Sequence, residues 1–516
     1  MSLFDRCAAF LPGLWFLLSS AGCGTPVVKV AAFDTDVLKA APLPAAFMRP
    51  APHGEHLIQP ALAWLSDIDP TDALVFTALR QAGGTTQYAL VVACDPETDR
   101  LAILPLGNEQ TPLGILSDRA ARADLRQRVV QMRSGLEAGE RANGLRVLSI
   151  REAIDKQLVA SPIPVPRRIY AVAANFPSHL RYDLAIALSP TRRAALGVRR
   201  ARVFLKYPAT TAGGEVVEGS GRILGPFDPL SYPAEIRLPS PPDERSPART
   251  ATRLDYEVEV GAVIGRRLTA AGIADLSDRE LMNAIAGYVL VSDSKARNPQ
   301  VVDKLADDGT PTLRSPYAIG DVKLDRALGS WDRTTCRWWS YAASWVDATA
   351  IGPFFVAAPT EPGLPTLAVV SARSYAAPEV RDAPVPAGRD RDVLYLRQCA
   401  LVSDDPAYSD GLIWSLPAII RSILAERANA LHFSDSPIEL EPGDVICLGT
   451  PGGTVITSRP EAQVAFLRAL LFWWRPRNFH DAFFGTDTGL YLRHGDEVFF
   501  WGAGLGYQHH VIRRAE

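Results

Sequence analysis

Apolar and polar positions alternate with period two over many short stretches of this chain and with period 3.6 over only a few. The stretch "TRLDYEVEVGAVIGRRL", residues 252–268, reads as a strand, as do 201–207 and 443–448. "TTQYALVVACDPETDRLAILPLG" predicts two strands around an Asp-Pro-Glu-Thr-Asp turn, a hairpin. Helical spacing predicts helices over 115–139, 278–290 and 412–430. "SPIPVPRR" at 161–168 reads as a proline-extended linker, and a domain boundary is expected there. Further on, 240–250 is expected to be a loop and 360–392 a long surface excursion holding at most a hairpin. The pattern as a whole predicts an α+β, mainly β protein, in which a smaller domain and linker over 23–165 precede a larger domain over 166–516.

Composition narrows the function. The 516 residues carry 47% hydrophobic and 22% charged positions and a formal net charge of −3, with Lys and Arg scattered, so no nucleic-acid groove is indicated. The first 22 residues are set apart. Arg6 precedes the apolar run "AAFLPGLWFLLSSAGC", which is short for a bilayer span and ends in small residues before Cys23. This resembles a bacterial lipoprotein signal: 1–22 would be removed and Cys23 acylated, anchoring the protein on the periplasmic or outer side of a membrane. The cysteines left after cleavage, Cys94, Cys336, Cys399 and Cys447, follow no zinc spacing.

The 252–268 strand poses the chemical question. Glu257 and Glu259 project from one face, Tyr256, Val258 and Val260 from the other, so two like charges sit close together on a partly buried surface and need something positive between them. A divalent cation would answer, since Mg²⁺ or Ca²⁺ binds hard oxygen ligands and usually takes a further carboxylate. Asp293 is the best third candidate, at the polar end of the apolar run in "AGYVLVSDSKARNPQ".

With these residues in place the chain resembles the fumarylacetoacetate hydrolase family, which combines an acidic E-x-E strand, a later Asp-x-Ser-Ala-Arg-x-x-Gln segment and a Pro-Gly-Asp-Val-Ile-x-x-Gly-Thr-Pro segment. Here "LDYEVEVGAVIG" (254–265), "GYVLVSDSKARNPQ" (287–300) and "LEPGDVICLGTPGG" (440–453) stand in that order, flanked by "VFLKYP" (203–208) and "YLRHGDEVFFWGAGLG" (491–506). The resemblance implies a mixed β-sandwich roll over about 168–516, with insertions at about 357–392 and 455–485. It implies Glu257, Glu259 and Asp293 as ligands of Mg²⁺, with Mn²⁺ or Ca²⁺ as alternatives. Arg297 and Gln300 would face the substrate, Arg297 holding a carboxylate or enolate by two parallel hydrogen bonds; the plainer alternative for Arg297 is an ion pair with an acid of the protein. Lys206 would be the family lysine near the site, and Thr450 would offer its hydroxyl to a substrate oxygen or merely shape a turn.

For the general base, "AANFPSHLRYDL" supplies Asn175, Phe176 and His179 of the family's Asn-Tyr-x-x-His-x-x-Glu pattern. The glutamate position holds Tyr182; Asp183 next to it could orient the imidazole, since i+4 shares a helical face with His179. The family's Gly-Lys-Ser-Phe lysine is missing ahead of Gly352-Pro353, where Ala343 or Ser344 stands instead. The activity implied is metal-assisted hydrolysis of a C–C bond in a small β-dicarbonyl oxo-acid such as an acylpyruvate or a fumarylacetoacetate-like compound. Its rivals are a 2-oxo-acid decarboxylase or isomerase on the same fold and a non-catalytic ligand-binding lipoprotein. Expected partners are the oxo-acid, a second copy of the chain and the membrane. The segment "PEAQVAFLRALLFWWRPRNF" (460–479) predicts a helix packed on the protein or lying on the membrane surface.

Overall fold

The structure, a computed structural model, describes residues 74–514 apart from short stretches and the longer segments 180–200, 313–341, 426–438 and 456–489. The signal segment with Cys23, the 240–250 loop, the 460–479 helix, Asp183 and Gln300 lie outside the described residues, 248–250 excepted. No helix of the described residues is long and apolar enough to cross a membrane.

Ten strands make the path of an 11-stranded sheet. In chain order they are β1 (Val75–Arg80), β2 (Thr86–Asp95), β3 (Arg100–Pro105), β4 (Arg146–Ser149), β5 (Ile169–Ala173), β6 (Arg202–Tyr207), β7 (Leu254–Ile264), β8 (Ile285–Ala296), β9 (Thr349–Ala357) and β10 (Val445–Cys447). Their order across the sheet is β4-β3-β2-β1-β9-β8-β7-β10-β5-β6, antiparallel except for the parallel pair β10–β5. The expected hairpin is β2–β3, and strands from both sides of the 161–168 linker share this one sheet through the β1–β9 pairing.

A second sheet of five strands runs in the order Leu230–Tyr232, Gly506–Arg514, Glu497–Gly502, Leu367–Ser374, Tyr395–Val402. It packs on the face of β7 that carries Leu254, Tyr256, Val258 and Val260, where Val369, Ala400, Val402, Val498 and Phe500 complete a common core. Tyr256 meets Phe500 edge-on, with ring centroids 5.7 Å apart. The opposite face of the large sheet is covered by helices Pro112–Ser117 and Arg119–Glu137, which contribute Ile115, Leu125 and Val129 to a second core with Val263, Val289 and Val291. The mainly β sandwich expected from the pattern is therefore present, and β7 and β8 run between two packed layers, buried along their whole length.

Three expectations about elements change. The 360–392 segment is more than a surface excursion: Leu367–Ser374 is buried at all eight positions and lies inside the second sheet. Its partners, 497–502 and 395–402, are remote or beyond a turn, so its apolar run looks unsupported in the sequence alone. The 278–290 helix stops at Met282 and gives way to β8. A β-branched run favours the strand there, and Gly287 lets β9 close in, since a Cβ at that position would stand 2.1 Å from the Val356 carbonyl oxygen. The 115–139 helix is two helices, because Asp118 accepts from the backbone N–H groups of Ala120 and Ala121 and so starts a new one.

The short helix Asp278–Met282 persists through a capping box between Ser277 and Glu280. Ser277→Ala is expected to lower stability by about 1 kcal/mol in urea unfolding, and an unchanged midpoint would show that the cap contributes nothing.

Candidate metal centre

Strand alternation sets Asp255, Glu257 and Glu259 on one face of β7, and the antiparallel register puts Glu257 opposite Asp293 and Asp255 opposite Lys295 on β8. Carboxylate oxygens of Glu257, Glu259 and Asp293 all lie within 4.8 Å of one another, and all three side chains are buried. The same face holds Val263, Val289 and Val291 farther along, so it changes from apolar to charged part way down the two strands. Three buried cations of the protein, Lys206, Lys295 and Arg297, stand against the acids of this face.

Lys206, from β6, places Nζ 2.5 Å from Asp293 Oδ1 and donates to the carbonyl oxygens of Ala343 and Ala348 at 2.6 and 3.4 Å. Lys295 holds Nζ 2.5 Å from Asp293 Oδ2 and 3.9 Å from Glu257 Oε2, with the Phe204 ring centroid 4.3 Å away on another side. The Lys295–Asp293 contact lies off the line of a hydrogen bond, which leaves Oδ2 without an aligned donor. Arg297 donates Nε to Asp255 Oδ2 at 3.0 Å and pairs through Nη2 with Asp255 and Glu257.

Burial and charge act against each other here. Burial disfavours an ionised Asp293, yet Lys206 and Lys295 hold its carboxyl below the ordinary range. Burial also works against the Lys295 ammonium, but Asp293, Glu257 and Glu259 keep its pKa above the usual value. Among the described residues Glu259 has no cation of its own within bonding distance; burial first, then the Asp293 charge, pushes it well above the usual carboxylate range. Its close donor among the described residues is the Gly449 backbone N–H, 2.8 Å from Oε2.

That N–H belongs to the Gly-Thr-Pro loop after β10. Gly449 sits at φ +98, and a Cβ there would meet Asn175 Cβ at 2.8 Å, so the position requires glycine. Asn175 clamps the loop by donating Nδ2 to the Leu448 and Trp414 carbonyl oxygens and accepting from the Trp414 N–H. Thr450 is buried, and its Oγ1 accepts from Gln398 Nε2 at 2.6 Å, which leaves the hydroxyl proton able to donate elsewhere. Gln398 comes from the second sheet and also accepts from the Val258 N–H and the Ser371 hydroxyl, so it locks that sheet to β7 behind the site. His179 is half-buried, with Nδ1 3.5 Å from the Pro451 carbonyl oxygen. Burial pushes its imidazole below the ordinary value, against the pull of Glu257, so it is neutral at pH 7.

The structure thus gathers Glu257, Glu259, Asp293, Lys206, Arg297, Thr450 and His179 around one face of β7 and β8. The Arg297 fork, for which a substrate carboxylate and an acid of the protein were the two expected partners, grips Asp255 and Glu257 here. The cause is Asp255, fully buried two residues before Glu257 on the same face, which needs a cation as much as a substrate would. Asp255, Lys295 and Gln398 escaped the sequence reading. Alternation alone would have found the first two, since Asp255 precedes Glu257 by two residues and Lys295 follows Asp293 by two; Gln398 carries no sequence signal.

Three hard carboxylate oxygens with an unaligned Asp293 Oδ2 among them fit a hard divalent cation in donor type. Residues 168–513 match the family described as fumarylacetoacetate (FAA) hydrolase, C-terminal. No curated protein matches the sequence. Among solved structures, 2-hydroxyhepta-2,4-diene-1,7-dioate isomerase from Mycobacterium marinum is similar at 15% identity and a TM-score of 0.42, covering 86% of this chain and 98% of that one. Fumarylacetoacetate hydrolase from Exiguobacterium antarcticum gives 16%, 0.42, 86% and 100% for the same quantities. Maleylpyruvate hydrolase from Sphingobium sp. SYK-6, in complex with manganese(II) ion and pyruvate, gives 15%, 0.39, 85% and 100%. Since the family match spans most of the chain, and the triad, the Gly-Thr-Pro loop and His179 all fall within it, the chain belongs to the fumarylacetoacetate hydrolase family.

Proposed function

We propose that this protein is an enzyme that hydrolyses a C–C bond in a small β-dicarbonyl oxo-acid, of the acylpyruvate or fumarylacetoacetate-like kind. The observation that carries the reading is the buried Glu257–Glu259–Asp293 triad lying close enough to a neutral His179 for the imidazole to sense Glu257. Glu257, Glu259 and Asp293 would hold Mg²⁺ or Mn²⁺, which when bound supplies Lewis-acid polarisation of the substrate's two carbonyl oxygens. His179, neutral and half-buried, accepts the proton of the attacking water. Thr450, its oxygen fixed by Gln398, donates its hydroxyl proton to a substrate oxygen on which charge develops. Lys206 and Lys295 add positive charge to a buried site, in the absence of the family lysine whose place Ala343 or Ser344 takes. The Cys23 lipid anchor and a cell-envelope location belong to the same proposal and rest on the sequence.

The test is a screen of acylpyruvates and oxaloacetate with and without Mg²⁺ or Mn²⁺. Metal-dependent formation of pyruvate together with the matching carboxylic acid is the expected result. Carbon dioxide release from oxaloacetate with no acylpyruvate turnover would move the protein to the decarboxylase reading. Tight binding with no turnover of any compound would make it a ligand-binding lipoprotein.

A further inference from the structure

The acidic face already contains a cation where a metal would bind. Lys295 contacts Asp293 Oδ2 and approaches Glu257 Oε2, two carboxylates of the triad, and its neighbour on the remaining side is the Phe204 ring. The position departs from the family pattern: the Asp-x-Ser-Ala-Arg segment reads "DSKAR" here, with Lys295 at the serine. Strand alternation gives a residue two after Asp293 no other direction than the face of the triad. Lys206 differs from it in an instructive way, because two carbonyl oxygens, those of Ala343 and Ala348, fasten its ammonium on the Oδ1 side of Asp293. Among the described residues Lys295 Nζ has no such carbonyl partner; the Asp293 and Glu257 carboxylates and the Phe204 ring hold it in place.

We propose that Lys295 is a tethered cation standing in for the divalent metal between Asp293 and Glu257, so that metal enters only by displacing its ammonium. The inference rests on the reading of the triad as a metal site. A dication bonded to Asp293 Oδ2 and an ammonium at the same oxygen would repel strongly at a separation of a few ångströms in a buried site. The lysine stem is flexible, and among the described residues no carbonyl oxygen fastens its ammonium as those of Ala343 and Ala348 fasten that of Lys206. The affinity of the site for metal is therefore set by Lys295, and the charge of the acidic face is largely balanced when metal is scarce.

Calorimetric titration of the metal-free protein with Mn²⁺ tests this without any assay of turnover. The parent should bind with a Kd of about 1 mM or weaker, and Lys295→Met and Lys295→Ser should each bind at least about 100-fold tighter. The Met variant keeps the stem's length and the Ser variant restores the family's residue, so either suffices. A parent Kd of about 10 μM or below, or equal affinities in parent and variants, would overturn the displacement while leaving the metal site intact. Absence of Mn²⁺ binding in all three would overturn the metal reading and the inference with it.

Discussion

Replacement of His179 by alanine is expected to lower kcat by about 10²–10⁴-fold, with the Kd of a bound dicarboxylate changed only a few-fold. Among the described residues the imidazole touches no carboxylate within hydrogen-bonding range, and in the proposed reaction its work is to accept a proton as water attacks. An interaction made mainly in the transition state shows in kcat and not in ligand affinity. The pH profile carries the same signature. A base must be neutral to accept a proton, so activity is lost as pH falls through the imidazole pKa, and burial places that pKa below the ordinary histidine value. The acid limb of kcat/KM should therefore lie below about pH 6.5, with no loss between there and neutrality from this group. Stopped-assay kinetics on parent and variant measure both. A variant retaining more than about a tenth of parental kcat would remove His179 from the proton transfer.

The second large effect is on stability. Asp293→Asn is expected to destabilise the fold by about 3–5 kcal/mol, because it strips the counter-ion from two buried ammonium groups at once. Lys206 and Lys295 each lie 2.5 Å from a different oxygen of this carboxylate, and neither side chain has more than 2% of its surface exposed. Removing one partner of a buried pair leaves the other charged and desolvated, which costs more than the pair contributes. Urea unfolding measures the change, and a loss under about 1 kcal/mol would mean that the lysines find other partners or shed their protons readily. A double change of Asp293→Asn with Lys295→Met should recover part of the loss, since it withdraws one of the stranded charges.

The acidic face that both effects involve lies on two strands, and the sequence displayed much of it. The alternation in "LDYEVEV" sets Glu257 and Glu259 on one face whatever the surroundings, and the demand for nearby positive charge follows from that alone. The same rule, carried one step outward, contains Asp255, and in "SDSKAR" it contains Lys295. The mainly β character, the β2–β3 hairpin and the Gly-Thr-Pro loop were likewise legible, because turn residues and period-two alternation are local properties of the chain.

What only the tertiary structure decided is which distant segments meet. Strand order is set by the burial of whole faces, so nothing in residues 75–80 announces that they pair with 349–357, nor in 367–374 that they fill a gap between 497–502 and 395–402. Two partners of the site follow from those meetings: Gln398, brought behind Thr450 by the second sheet, and Lys206, brought to Asp293 by the β10–β5–β6 edge. The nature of the positive charge beside Glu257 was decided there too. Two glutamates on a strand require a cation by electrostatics, a requirement any source can meet; the register of β7 against β8 supplied ammonium and guanidinium groups from the neighbouring strand.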